Sequence, residues 1–248
     1  MLKSIFIGLY TLLGITNLVA QKTLIVLDPQ GEGIYRVANA AVFIDTSANL
    51  DLASIYALNS SSQFEVLPDD EDFLLDRKAI YWLGFRAKNQ SERDQNWIFD
   101  FQDWSYVDLY VMDGDRPSDV KKTGHLVELE DRDYPQANRN YCQIAFYPGE
   151  IKTIFVRLDP TPNNRIFPSD LSFDVGLQWK IDKKDGYFRA TVYAILAAYV
   201  IFFLFNLFIA ISTRDKAYFY YLLLVTAGFL LALNYSGYFL ELFDSFKP

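Results

Sequence analysis

The sequence predicts an all-β domain of jelly-roll or β-sandwich type, followed by an α-helical transmembrane hairpin. Three observations predict it. Short runs between residues 22 and 182 alternate apolar and polar residues, the period of half-buried strands. Residues 190–213 and 217–240 hold no charged residue, and each is long enough to cross a bilayer as a helix. Charge is concentrated ahead of them: residues 22–186 carry 18 Lys and Arg against 28 Asp and Glu, in a chain of 248 residues with net charge −8. That division excludes a single soluble globule. It also argues against a nucleic-acid binder, because an acidic surface repels phosphate.

Taken in order, residues 1–20 read as a signal peptide. Lys3 supplies the positive start, Ile5 to Ile15 the apolar run, and Leu18-Val19-Ala20 a cleavage site. Leu18 is bulkier than the usual residue there, which leaves cleavage and a retained anchor both open.

Residues 21–182 form the β domain. Tyr81, Leu83 and Phe85 alternate with Trp82, Gly84 and Arg86; Val107, Leu109 and Val111 with Tyr106, Asp108 and Tyr110; Ile154, Val156 and Leu158 with Phe155 and Arg157. Leu171, Phe173, Val175, Leu177 and Trp179 alternate with Ser172, Asp174, Gly176 and Gln178. Asp113-Gly114 is a turn dipeptide. Pro148-Gly149, between Tyr141–Tyr147 and Ile151–Leu158, suggests a hairpin. Asn39–Ala57 has room for one short helix.

Residues 183–189 read as a juxtamembrane linker, a solvated spacer that begins in the charged run Lys180–Gly186. The two apolar segments contain none of the nine prolines. Ser212–Lys216 is short enough to make them antiparallel. Tyr187, Tyr193, Tyr218, Tyr220, Tyr221, Tyr235 and Tyr238 cluster near their ends, as in an aromatic belt. The signal places the β domain outside the membrane and the 212–216 turn inside. Lys180, Lys183, Lys184 and Arg189 oppose this, but a long exported domain translocates largely regardless of charge. Residues 241–248 are too short to be a domain, so the chain reads as cut short.

Several of these segments resemble one family. Tyr81-Trp82-Leu83-Gly84-Phe85-Arg86-Ala87-Lys88-Asn89 is similar to a strand in the extracellular domain of bacterial seven-transmembrane receptors with diverse intracellular signalling modules. Trp97 to Gly114 resembles the next hairpin of that domain, and Pro148-Gly149-Glu150 with Ile154-Phe155-Val156-Arg157 a later segment. Asn206, Arg214–Tyr221 and Gly237 match positions in and around its first two helices.

The resemblance implies a multi-pass protein of the bacterial inner membrane whose jelly-roll domain, related to carbohydrate-binding modules, faces the periplasm or exterior. It implies a sensor for a small molecule or glycan that relays its state to the remaining receptor helices. Five helices and the output module of the family are missing from this sequence. A two-helix accessory or adhesion protein is the alternative.

Candidate ligand residues follow from the alternation. If the residues named above face the core, the opposite faces carry Trp82, Arg86, Tyr106, Tyr110, Phe155 and Arg157. Aromatic rings are platforms for sugar C–H faces, and arginine donates a fixed fork to hydroxyls or carboxylates. A loop, an N-terminal strand or a second sheet covering these rings is the competing expectation.

Trp97 and Trp104 flank the acidic turn Asp100–Asp103, an arrangement that a tethered hydrolase could use. Asp69–Asp72 has oxygen ligands for calcium but reads better as a solvated charge run. Asp113-Gly114-Asp115 lacks the remaining ligands of a calcium loop. One His (His125) and one Cys (Cys142) exclude an intrachain disulfide and a His/Cys zinc site, and no cofactor is expected. Asn206, the one amide in the first membrane segment, is expected to hydrogen-bond a neighbouring helix through Thr226, Asn234 or a helix outside this sequence.

Overall fold

The computed structural model describes residues 23–30, 33–38, 40–60, 63–66, 75–135, 139–160, 170–214 and 216–235. The signal segment, Asp69–Asp72, Gly237 and Tyr238 lie outside these. The chain divides into a β unit, ending at Gln178, and a helical unit after it.

The β unit opens with β1 (Leu24–Leu27), β2 (Ile34–Val37) and β3 (Ala41–Asp45), then helix α1 (Leu52–Ser60) and β4 (Glu65–Val66). It continues with β5 (Ile80–Asn89), β6 (Gln95–Asp100), β7 (Tyr106–Asp113), β8 (Arg116–Thr123), β9 (Tyr141–Phe146), β10 (Ile151–Asp159) and β11 (Phe173–Leu177). Seven of these strands form one sheet in the order β4-β3-β5-β10-β7-β8, with β1 parallel to the second half of β5. The other four form a second sheet, β2-β11-β6-β9. The architecture is a β-sandwich.

The alternation explains the sandwich. Tyr81, Leu83 and Phe85 on β5, Val107, Leu109 and Val111 on β7, and Ile154, Val156 and Leu158 on β10 all enter one core. From the second sheet, Trp97, Phe99, Phe173, Val175 and Leu177 meet them. Phe173 stacks on Phe85 with ring centroids 5.2 Å apart and lies 5.3 Å from Phe101. Each such ring contributes about 1.5–3 kcal/mol by leaving water.

Three expectations change. Pro148-Gly149 turns a corner and does not join a hairpin, because β9 pairs with β6 whereas β10 pairs with β5 and β7. β6 and β7 likewise belong to different sheets. Asp113-Gly114 does close a hairpin, between β7 and β8, with Gly114 at φ +62°. The last strand stops at Leu177, whose ladder partner is Trp97. β6 continues through Asn96 and Gln95, but from Gln178 the chain enters a helix, which satisfies its own backbone. Trp179 and residues 183–189 are therefore helical. The short helix within reach of Asn39–Ala57 occupies Leu52–Ser60, after a strand at Ala41–Asp45.

Asn89, the last residue of the family-like strand, is wholly buried and ties the corner together. Its Nδ2 donates to the Tyr147 carbonyl at 3.0 Å and the Arg93 carbonyl at 3.3 Å, and its Oδ1 accepts from Ser91 N at 3.1 Å. Its own N–H donates to the Glu150 carbonyl at 3.0 Å.

The helical unit holds α2 (Gln178–Thr213) and α3 (Lys216–Tyr235). Both are long and apolar enough to cross a membrane, and only 6% and 11% of their most apolar windows are buried. A core helix of a soluble protein would hide that surface; lipid suits it. At Gly228 an added Cβ would meet Tyr199 Cε1 at 3.1 Å, so the helices approach closely there. Asn206 is buried and donates to the Phe202 carbonyl of its own helix at 2.8 Å. Thr226 bonds the Leu222 carbonyl in the same way.

Replacing Asn89 by alanine removes the donor to the Tyr147 and Arg93 carbonyls and the acceptor of the Ser91 N–H, on two connections. The variant is expected to lose about 2–3 kcal/mol of β-domain stability in urea unfolding; an unchanged midpoint would show that the staple is dispensable.

Candidate ligand-binding site

The register places all six sequence-derived residues on the outer face of the seven-stranded sheet. Trp82 lies opposite Arg157, which lies opposite Asp108; Phe155 lies opposite Tyr110, and Asp159 opposite Tyr106. Arg86 sits further along β5, opposite Leu24 and Thr153. The face has two regions.

The first is covered. Trp82 and Phe155 are each 1% exposed. With Ala41, Ile80 and Met112 they form a second apolar cluster, closed from above by Ile55 of α1 and by Phe64. Phe155 meets the rings of Tyr56 and Phe64 edge-on at 6.2 and 6.0 Å. The helix that closes this region is set by Asp45 at the end of β3. Its Oδ1 accepts from Ser47 N at 2.9 Å and Ala48 N at 3.0 Å, and its Oδ2 accepts from Leu50 N at 3.0 Å. Asp51 then caps α1, accepting from Ser54 N at 2.9 Å. Burial opposes ionisation of Asp45, but the bonds from Ser47, Leu50 and Ala48 outweigh it and hold the carboxyl below the ordinary range.

The second region is open. Tyr106 is exposed, and Tyr110 is half-buried with its ring stacked on Trp82 at 6.1 Å. Arg157 is fixed between two carboxylates, Nη1 to Asp108 at 3.2 Å and Nη2 to Asp159 at 2.8 Å. Burial pushes the Tyr110 hydroxyl up, and Asp108 adds to this while Arg157 opposes it. The result is a band of two tyrosines, an oriented guanidinium and two carboxylates. It offers donors, acceptors and aromatic faces together, the functional groups that bind polyols.

Sequence reasoning missed the partners of Arg157, and it held a cover over the rings as its competing expectation without foreseeing that α1 and Phe64 supply it. The cover left a trace: Ile80 to Phe85 is apolar throughout, the mark of a strand buried on both faces.

The other candidates are dispersed. Trp97 and Trp104 are core residues. Asp100 is buried near Arg139 at 3.6 Å, whereas Asp103 is exposed and paired with His125 at 3.2 Å. The hydrogen bond from His125 is the main cause that lowers the Asp103 carboxyl below its ordinary range. Cys142 is a buried thiol whose burial raises it well above the ordinary value. Among the described residues no cluster of three or more His, Cys, Asp or Glu is placed to hold a metal ion.

The chain thus combines a β-sandwich with two helices long and apolar enough to cross a membrane. The 7TMR-DISM extracellular 2 family model matches residues 38–172, more than half of the chain, and the chain belongs to that receptor family. No curated protein matches it. Among solved structures, Ruminococcus gnavus β-glucuronidase is similar at a TM-score of 0.31 and 12% identity, over 60% of this chain and 29% of that one. The complex of the R. gnavus enzyme with D-glucuronic acid gives 0.30 and 10%, over 60% and 30%. The chain thus spans less than a third of those enzymes, and a likeness this slight carries no argument about chemistry.

Two outcomes follow. Trp82→Ala should cost about 3–5 kcal/mol in urea unfolding, whereas Tyr106→Ala should stay within about 1 kcal/mol of the parent. Asp45→Asn should be less stable at neutral pH by about 1–3 kcal/mol. A lowered carboxyl stabilises fully above the ordinary carboxylate range and loses its contribution as pH falls through the lowered value. The gap between parent and Asp45→Asn should therefore narrow on acidification; a constant gap contradicts the role of the carboxylate.

Proposed function

We propose that the β domain binds a small ligand, a carbohydrate or similar polyol, on the outer face of its larger sheet, and that the helices pass the resulting change to further receptor helices in the bacterial inner membrane. The observation that carries this is Arg157, held between Asp108 and Asp159 beside the exposed Tyr106. A guanidinium already matched by two carboxylates has no charge left for an acidic ligand. It presents a fixed hydrogen-bonding frame, which suits neutral hydroxyls. Tyr106 and Tyr110 supply the rings, Trp82 and Phe155 lie beneath the cover, and Arg86 stands on the same face at the β1 side. The domain senses by binding, without turnover.

The test is a screen of neutral and acidic oligosaccharides on the whole chain in lipid nanodiscs. Binding should favour neutral sugars and weaken about tenfold or more, roughly 1.4 kcal/mol, in Tyr106→Ala and Arg157→Gln. Unchanged affinity in both variants, or release of a cleaved product, would overturn the reading.

A further inference from the structure

We infer that α1 is a displaceable cover over an inner part of this ligand face, and that Trp82 Nε1 is the donor which that part offers to a flat, largely apolar ring of the ligand. The inference rests on the reading above and adds to it the second half of the ligand.

Three observations carry it. The Trp82 Nε1 hydrogen is fully buried and meets no acceptor. Such an orphan donor costs about 1–3 kcal/mol, and few native groups are left in that condition. The cover is slight. Among the described side chains of α1 only Ile55 is buried completely, while Ala53, Ser54 and Ala57 are exposed. A nine-residue helix has little stability of its own in water, so its docking rests on one face, Leu52, Ile55, Tyr56 and Leu58. The floor beneath it is largely aromatic, with Trp82 and Phe155 among Ala41, Ile80 and Met112. At Gly84 the missing Cβ leaves a seat now filled by Phe64 Cε1, 3.2 Å from where that Cβ would stand, with Phe155 at the same distance.

Tyr110 joins the two parts: it stacks on Trp82 on one side and borders Arg157 and Asp108 on the other. A ligand with a polyol head at the rim and an apolar ring running inward would satisfy the Arg157 frame, the aromatic floor and the orphan N–H together. An apolar glycoside has that chemistry.

Trp97 is the internal control. Its Nε1 is also buried without an acceptor, but it lies between the two sheets, where no small element can leave. The chain has four tryptophans, so 5-fluorotryptophan labelling of the whole chain in nanodiscs gives four fluorine resonances. Exchange of the indole hydrogen is read from the solvent isotope shift. The Trp82 hydrogen should exchange about 100-fold or more faster than that of Trp97, because it needs only local opening. Ile55→Ala should speed Trp82 on the order of 30-fold further and leave Trp97 unchanged. Millimolar benzyl β-D-glucopyranoside should shift the Trp82 resonance and slow its exchange.

Equal rates at Trp82 and Trp97 in the parent would overturn the cover without recourse to any variant. A Trp82 resonance that ignores the probe would remove the inner site. Failure of the rim reading shows elsewhere, as unaltered sugar affinity in Tyr106→Ala, and leaves the exchange rates as they are.

Discussion

The structure depends on one constraint: β5 is buried on both faces. Its inner side chains Tyr81, Leu83 and Phe85 belong to the core between the sheets, and its outer ones, Ile80 and Trp82, belong to the cluster under α1. A strand of this kind needs cover on two sides. The second sheet supplies one, and α1 with Phe64 the other. That cover reaches only part of the sheet, and Tyr106, Asp108, Tyr110 and Lys122 on β7 and β8 are left beyond it, where the sheet is polar and aromatic. The proposed ligand face is the remainder of an incomplete third layer.

Charge is arranged to suit this. The β unit is acidic, and several of its cations are committed to structural pairs. Lys121 on β8 pairs with Asp133 at 2.8 Å, and the other oxygen of Asp133 accepts from the Gln143 N–H of β9 at 2.8 Å. One carboxylate thereby stitches an edge of each sheet to the other. At the rim Arg157 is likewise committed, to Asp108 and Asp159, which leaves no unpaired cation in that pair of contacts. β8 itself is an edge strand that carries Arg116, Asp119, Lys121 and Lys122 besides Pro117, with a register shift opposite Val111 and Met112. These features block strand addition by another chain.

Much of the fold was legible in the alternation. Residues on β5, β7, β10 and β11 took the core positions that their period assigned, because a sheet with one face in a core fixes register by hydrophobicity alone. The face of each ligand candidate was legible for the same reason. Depth was not. Whether Trp82 and Phe155 reach solvent depends on α1, an element short and weakly patterned, and on which strands neighbour which. Strand pairing also defeated the hairpin reading of Pro148-Gly149, since a turn dipeptide marks a reversal and says nothing of whether the flanking strands share a sheet. At Leu177 the alternation ran on to Trp179 while the ladder ended. Local period does not report where the chain leaves a ladder for a helix.

The central claim is that α1 and the outer face of β5 and β10 form a second core. It is tested most directly by a double-mutant cycle on Tyr56 of α1 and Phe155 of β10, read by urea unfolding of the β domain. Their edge-on contact at 6.2 Å predicts a coupling of about 0.5–1.5 kcal/mol. Strict additivity, within about 0.3 kcal/mol, would mean that α1 does not rest on this face, and the account of the covered site would not stand.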